Sequence, residues 1–148
     1  MGDRRRESVY VGGLGQIQLM LNQHEQALPL LEKSLELAEG VDPNRICHAH
    51  GLLALLASRE HRSDDADAHL SAAELAAERA GPAATFRLAM NRVEVAISLQ
   101  RRHQAQDHLS SLRHALNSNE PKWFEGLQAQ VEDLERRVMV MESADVLG

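Results

Sequence analysis

Aromatic side chains are scarce in this chain of 148 residues: they make up 3% of it, although 43% is hydrophobic. Ala and Leu therefore carry most of the apolar content, and such small or unbranched side chains suit closely packed helices and form strands poorly. Cysteine occurs once, at Cys47, which excludes an internal disulfide and a cysteine-ligated zinc site and fits a reducing compartment. Positive charge is also short. A net charge of −6 argues against a phosphate-binding surface and hence against nucleic acid as a partner, with Arg4, Arg5 and Arg6 the only basic run of three. No apolar run is long enough to cross a bilayer, and residues 1–6 lead into no signal-peptide core. A cytoplasmic protein with no membrane partner is expected, as one domain over residues 1–148.

What the chain does have is an internal period. Aligned on itself at a spacing of 39, it shows the columns Ala27, Ala66, Ala105 and, four residues on, Leu31, Leu70, Leu109. Further columns read Ile17, Leu56, Val95 and Ala38, Ala77, Leu116. Leu14, Leu53, Arg92 and the adjoining Gly15, Ala54, Val93 agree in the first two copies and diverge in the third. Breakers follow the same spacing. Gly40 followed by Asp42-Pro43 reads as a helix stop, then an N-cap with proline at the first helical position, and Gly81-Pro82 and Glu120-Pro121 repeat that punctuation 39 and 78 residues on. A polar break near residues 22–24, 61–63 and 101–103 splits each copy in two, with Ser63 as an N-cap ahead of Asp64 and Asp65. The pattern predicts an all-α chain of seven helices, at roughly 5–21, 24–39, 43–60, 64–79, 83–100, 103–117 and 121–142. The repeats span roughly 5–40, 43–80 and 83–118, followed by a capping helix over roughly 121–142.

Leu14-Gly15 followed by Ala27, Leu31 and Ser34 resembles the tetratricopeptide repeat, and Leu53-Ala54, Ala66, Leu70 and Ala73 match again. The resemblance covers residues 2–117 and implies a right-handed α-solenoid of three helix pairs plus the cap. It implies close contacts of Gly15 with Ala27, Ala54 with Ala66 and Val93 with Ala105. The family's Trp and Tyr columns are absent, since Val11, His50, Ala89 and Gln18, Ala57, Ala96 stand there. The period exceeds the family's usual length of about 34. With the opening Gly2-Asp3-Arg4, it is similar to a subgroup with long repeats joined by Gly-Asp-Arg linkers, found in bacterial signalling proteins and adaptor scaffolds. Opening on such a linker points to a piece of a longer array.

Candidate chemistry is thin. Gly12-Gly13-Leu14-Gly15 lacks the Gly-Lys-Ser/Thr ending and preceding strand of a phosphate loop. Gly12 and Gly13 either admit a ligand's backbone or mark a frayed first helix, and the second reading is favoured. His69 and His108 share a column on adjacent helices, but that column's first member is Leu30, so no metal site is assigned. Asp64, Asp65 and Asp67 read as an acidic helix start, and Glu132–Arg136 with Asp133–Arg137 as solvated pairs. No cofactor is expected, and no acid/base or nucleophile constellation points to an enzyme.

The expected function is a protein- or peptide-binding scaffold that uses the concave face of the solenoid. The alternative is a regulatory, sensor or self-association segment of a larger bacterial signalling or transcription-regulating protein. Carried over by position, the resemblance implies groove residues Val9, Gly12, Gly13, Gln16, Leu19 and Met20 in repeat one. Repeat two supplies His48, Gly51, Leu52, Leu55, Ser58 and Arg59, and repeat three Arg87, Met90, Asn91, Glu94, Ile97 and Ser98. The site narrows to Gln16, Met20, Leu52, Leu55, Arg59, Arg87, Met90, Asn91 and Glu94. No lysine stands at these positions, so no lysine clamp for a terminal carboxylate is expected. The mixture suits a peptide with apolar anchors and an acidic side chain. In the last helix, Leu127, Val131, Leu134, Val138 and Met141 form a heptad seam. Its first half, with Trp123 and Phe124, is expected to cap 109–116. Its second half is expected to extend past that surface and pair in a homodimer.

Overall fold

A computed structural model describes residues 3–118 and 127–147. Within them the chain is all helical: α1 (Asp3–Met20), α2 (His24–Ala38), α3 (Pro43–Arg59), α4 (Ser63–Ala80), α5 (Pro82–Ser98), α6 (Arg102–Ser118) and α7 (Gln128–Leu147). The predicted boundaries of the first six hold to within about two residues. The seventh helix is described only from Gln128, and the expected start with Pro121, Trp123 and Phe124 lies outside the described residues.

The 39-residue period is present in the backbone itself. Asn22, His61 and Gln100 are left-handed, with φ of 59°, 60° and 57°. Each ends a helix with the same pair of bonds. The amides of Gln23, Arg62 and Arg101 reach back five residues to the carbonyls of Gln18, Ala57 and Ala96, at 2.8, 2.9 and 2.8 Å. Inside that loop the left-handed residue bonds to Leu19, Ser58 or Ile97, which satisfies carbonyls that a helix end leaves orphaned. The longer junctions also follow their residues. Asp42 accepts from the Asn44 amide at 3.0 Å with Pro43 in the first turn, and Gly81 takes a φ of 95° before Pro82. Ser63 departs from the expectation: α4 begins at Ser63 itself, and Arg62 precedes it with no capping side chain.

The helices pair as α1–α2, α3–α4 and α5–α6, and each later pair stacks on the one before. Thus α3 touches α1 and α2, α5 touches α3 and α4, and α7 touches α5 and α6. Among the described residues this is a one-dimensional stack in which each pair packs chiefly on its neighbours. The alanine column sets the spacing. Ala27, Ala66 and Ala105 are fully buried, and Ala66 shares a core cluster with Ala54 as Ala105 does with Val93. Gly15 meets α2 slightly further along than expected. A Cβ there would stand 2.8 Å from Leu31 Cδ2 and 3.2 Å from Leu30 Cβ.

The heptad seam of α7 faces inward along its whole described length. Val131, Leu134 and Val138 are buried with Phe86, Val93, Leu109 and Leu112, and Leu127 and Met141 pack against them. The cap therefore lies on α5 as well as α6. The expected projection of Val138 and Met141 beyond the surface is incorrect, because α5 supplies the apolar surface that α6 alone lacks. Of the two expected pairs, Asp133–Arg137 forms at 3.7 Å, while Arg136 turns to Asp133 at 3.3 Å. Among the described residues no helix is long and apolar enough to cross a membrane.

Candidate functional site

Stacking in a fixed register brings the same face of α1, α3 and α5 into one concave groove, and α7 forms its far wall. Residues seven or eight apart on a helix share a face. The groove takes Gln16 and Met20 from α1, Leu52, Leu55 and Arg59 from α3, and Arg87, Met90, Asn91 and Glu94 from α5. All nine residues of the expected site thus line one continuous concavity. It has two lobes, of about 430 and 550 Å³, which share Gln16, Leu52, Met90, Asn91 and Gln130.

The lobes differ in chemistry. The first holds Arg45, His48 and Arg87, and no carboxylate lines it among the described residues. Burial pulls the Arg45 guanidinium below its ordinary value, and Arg87 and Arg5 push the same way against the attraction of Asp42. Asp42 is itself engaged by Arg5 at 2.8 Å. Burial, with the charges of Arg45 and Arg87, lowers His48 to about 4, so its imidazole is neutral near pH 7. Arg45 Nε and His48 Nδ1 are buried without a hydrogen-bond partner among the described residues. Buried polar atoms ordinarily find partners, so an acceptor entering this lobe would gain charge-assisted bonds with little competition from internal acids.

The second lobe is apolar at its floor, with Leu19, Leu52, Leu55 and Met90, and charged at its rim. The rim is partly committed. Arg59 Nη1 donates to the Leu19 carbonyl at 2.9 Å, where a cation suits the last turn of α1. Glu94 accepts from Arg137 of α7 at 3.3 Å. Gln130 and Asp133 of α7 complete the wall.

Several carried-over positions fall elsewhere. Gly12 is buried against α2, where a Cβ would stand 2.7 Å from Ser34 Oγ and 3.0 Å from Arg45 Nη2. It is neither a groove residue nor part of a frayed turn. Gly13 does line the first lobe, and a Cβ there would meet nothing within 4 Å. Gly51 lies beneath the Asn91 amide, which occupies the place its Cβ would take. Ser58 is buried and donates to its own helix at Leu55 O, at 2.7 Å. Ile97 packs into the α5–α6–α7 core. These positions share the expected helix, but side chains of the neighbouring helices cover them. Arg45 was missed, although its spacing of three to His48 and seven to Leu52 places it on the same face. The α7 wall had no comparable signal, because the side of a helix opposite its seam depends on topology.

Among the described residues the other titratable groups form no second site. Cys47 is buried, and burial raises its thiol above the ordinary value, so it is a packing residue. His69 pairs with His50 of α3, Nδ1 to Nδ1 at 3.0 Å, and not with His108. Burial lowers both partners, which fits one neutral ring donating to another. Asp65 and Asp67 are held by Arg62 and Arg101, each at 2.7 Å. Among the described residues no group of three or more histidine, cysteine or acidic side chains could hold a metal ion. No family model, curated protein or solved structure matches the chain.

Proposed function

We propose that the chain is a tetratricopeptide-like scaffold that binds an extended peptide in the groove formed by α1, α3, α5 and α7. The ligand carries apolar anchors for the floor at Leu52, Leu55 and Met90 and an acidic side chain for the lobe at Arg45, His48 and Arg87. One observation carries this reading: among the described residues, two arginines and an imidazole edge without a partner converge in a lobe that no carboxylate lines. An acidic side chain there gains bidentate guanidinium bonds, while the exposed Met20 and the half-buried Met90 supply apolar area beside the leucine floor, at about 25 cal/mol per Å² buried. Asn91, which lies over Gly51 and lines both lobes, supports this reading as a donor and acceptor for an extended backbone. No nucleotide, metal or cofactor enters this reading.

The test is a panel of short peptides with two leucine anchors and either aspartate or asparagine between them, read by fluorescence anisotropy. The native chain should prefer the aspartate peptides by about tenfold, the order of one charge-assisted bond. Met20→Glu combined with Arg87→Glu, both at exposed groove positions, should abolish capture while leaving the helical circular dichroism intact. Undiminished binding by that variant would move the site off the concave face.

A further inference from the structure

The outer face of α1 carries a second apolar surface, independent of the groove. Tyr10, Leu14, Ile17 and Leu21 follow one another at steps of four, three and four, and their exposures are 68%, 38%, 53% and 62%. The chain supplies its own controls, because each position recurs 39 residues later. The counterparts of Tyr10 are Ala49 and Leu88, exposed by 1% and 3%. Those of Ile17 are Leu56 and Val95, each at 1%, and Leu53, opposite Leu14, is at 3%. In α3 and α5 these residues are covered by the preceding pair: Leu53 and Leu56 share a cluster with Leu31, and Leu88 shares one with Ala73 and Ala77. On α1 the same pattern meets no helix among the described residues.

We infer that this stripe is an interface between two copies of the chain, with α1 packed antiparallel against α1 of the second copy. The order of the spacings supports that occupant. A run of four, three, four reads the same in both directions, so a two-fold axis between Leu14 and Ile17 places Leu14 opposite Ile17 and Tyr10 opposite Leu21. A two-fold dimer requires such a self-complementary patch. Charge agrees with the pairing. The exposed Arg6 at the start of α1 comes to the carbonyl end of the partner's α1. A cation at the carbonyl end of a helix is favourable, and the contact occurs twice. The α7 seam is not available for this role, since the core of the third pair buries it.

Light scattering on the full chain at about 100 µM, where a weak dimer would still form, should give twice the 16.4 kDa chain mass. Leu14→Glu combined with Ile17→Glu should return the monomer mass with unchanged helicity. Met139→Glu combined with Val140→Glu, on the exposed side of α7, should leave the dimer intact. Orientation is read by mixing a Leu14→Cys chain with an Ile17→Cys chain. The antiparallel arrangement predicts a disulfide between the two variants, in preference to either with itself. A monomer at this concentration overturns the proposal and assigns the face to a different helical partner. So does a dimer that survives the α1 substitutions.

Discussion

At the first helix pair the facing columns hold Ser8 and Ser34, and at the third the same columns hold Phe86 and Leu112. Both slots are closed to solvent, but by different physics. The serines bond to each other's carbonyls, each at 2.8 Å, which satisfies two buried hydroxyls. Gly12 and Gly15 beside them let the backbones approach closely. At the third pair, Met90 and Val93 replace those glycines, and Phe86 and Leu112 fill the wider gap together with α7. Cys47 and Ala73 hold the intermediate place in the second pair. One repeat register thus tolerates a slot that grows from polar and narrow to apolar and wide. The wide end is covered by a further helix, whereas the narrow end leaves the stripe on α1 open.

The largest expected effect lies at the wide end. Leu112→Ala opens a cavity among Phe86, Val131 and Leu134 and should cost about 2–5 kcal/mol. Ser34→Ala in the same column removes one donor and should cost only about 1 kcal/mol. Urea denaturation of both variants measures the ratio, and equal costs would break the contrast between the two ends.

The glycines of α1 sharpen it further. Gly15→Ala drives a Cβ toward the fully buried Leu31 and should cost about 1–3 kcal/mol despite the gain in helix propensity. Gly13→Ala meets nothing and should stabilise by about 0.5–1 kcal/mol. Two glycines that look alike in sequence should therefore separate in sign. A common sign for both substitutions would mean that α1 and α2 do not approach as described.

The period was legible because it is built from local features: alanines where helices touch, prolines at first turns, and a polar break with one left-handed residue. Each acts within a few residues, so a column of letters reports it. The nine groove residues were legible for a related reason, since a fixed register puts fixed positions on the concave side. Partner-dependent burial was not. Gly12, Gly51 and Ser58 share the groove's helical phase, and only the proximity of Ser34, Asn91 and the neighbouring helices removes them from it. The inward reach of Val138 and Met141 likewise depends on α5, which lies 40 or more residues away in sequence and is silent about its own lateral neighbours. Arg45 stood on a legible face but outside the carried-over positions.

The central claim is that an acidic group docks beside Arg45, His48 and Arg87, and the imidazole of His48 reports on it directly. Its protonation can be followed by nuclear magnetic resonance in the native chain and in the saturated complex with the aspartate peptide. In the free protein His48 should titrate near 4, below its ordinary 6.5, because burial and two guanidiniums disfavour its charged form. A carboxylate placed in the lobe favours the charged form, so the aspartate complex should titrate at higher pH, and the asparagine complex should follow the free protein. An aspartate complex that saturates while His48 keeps its free titration would contradict the account.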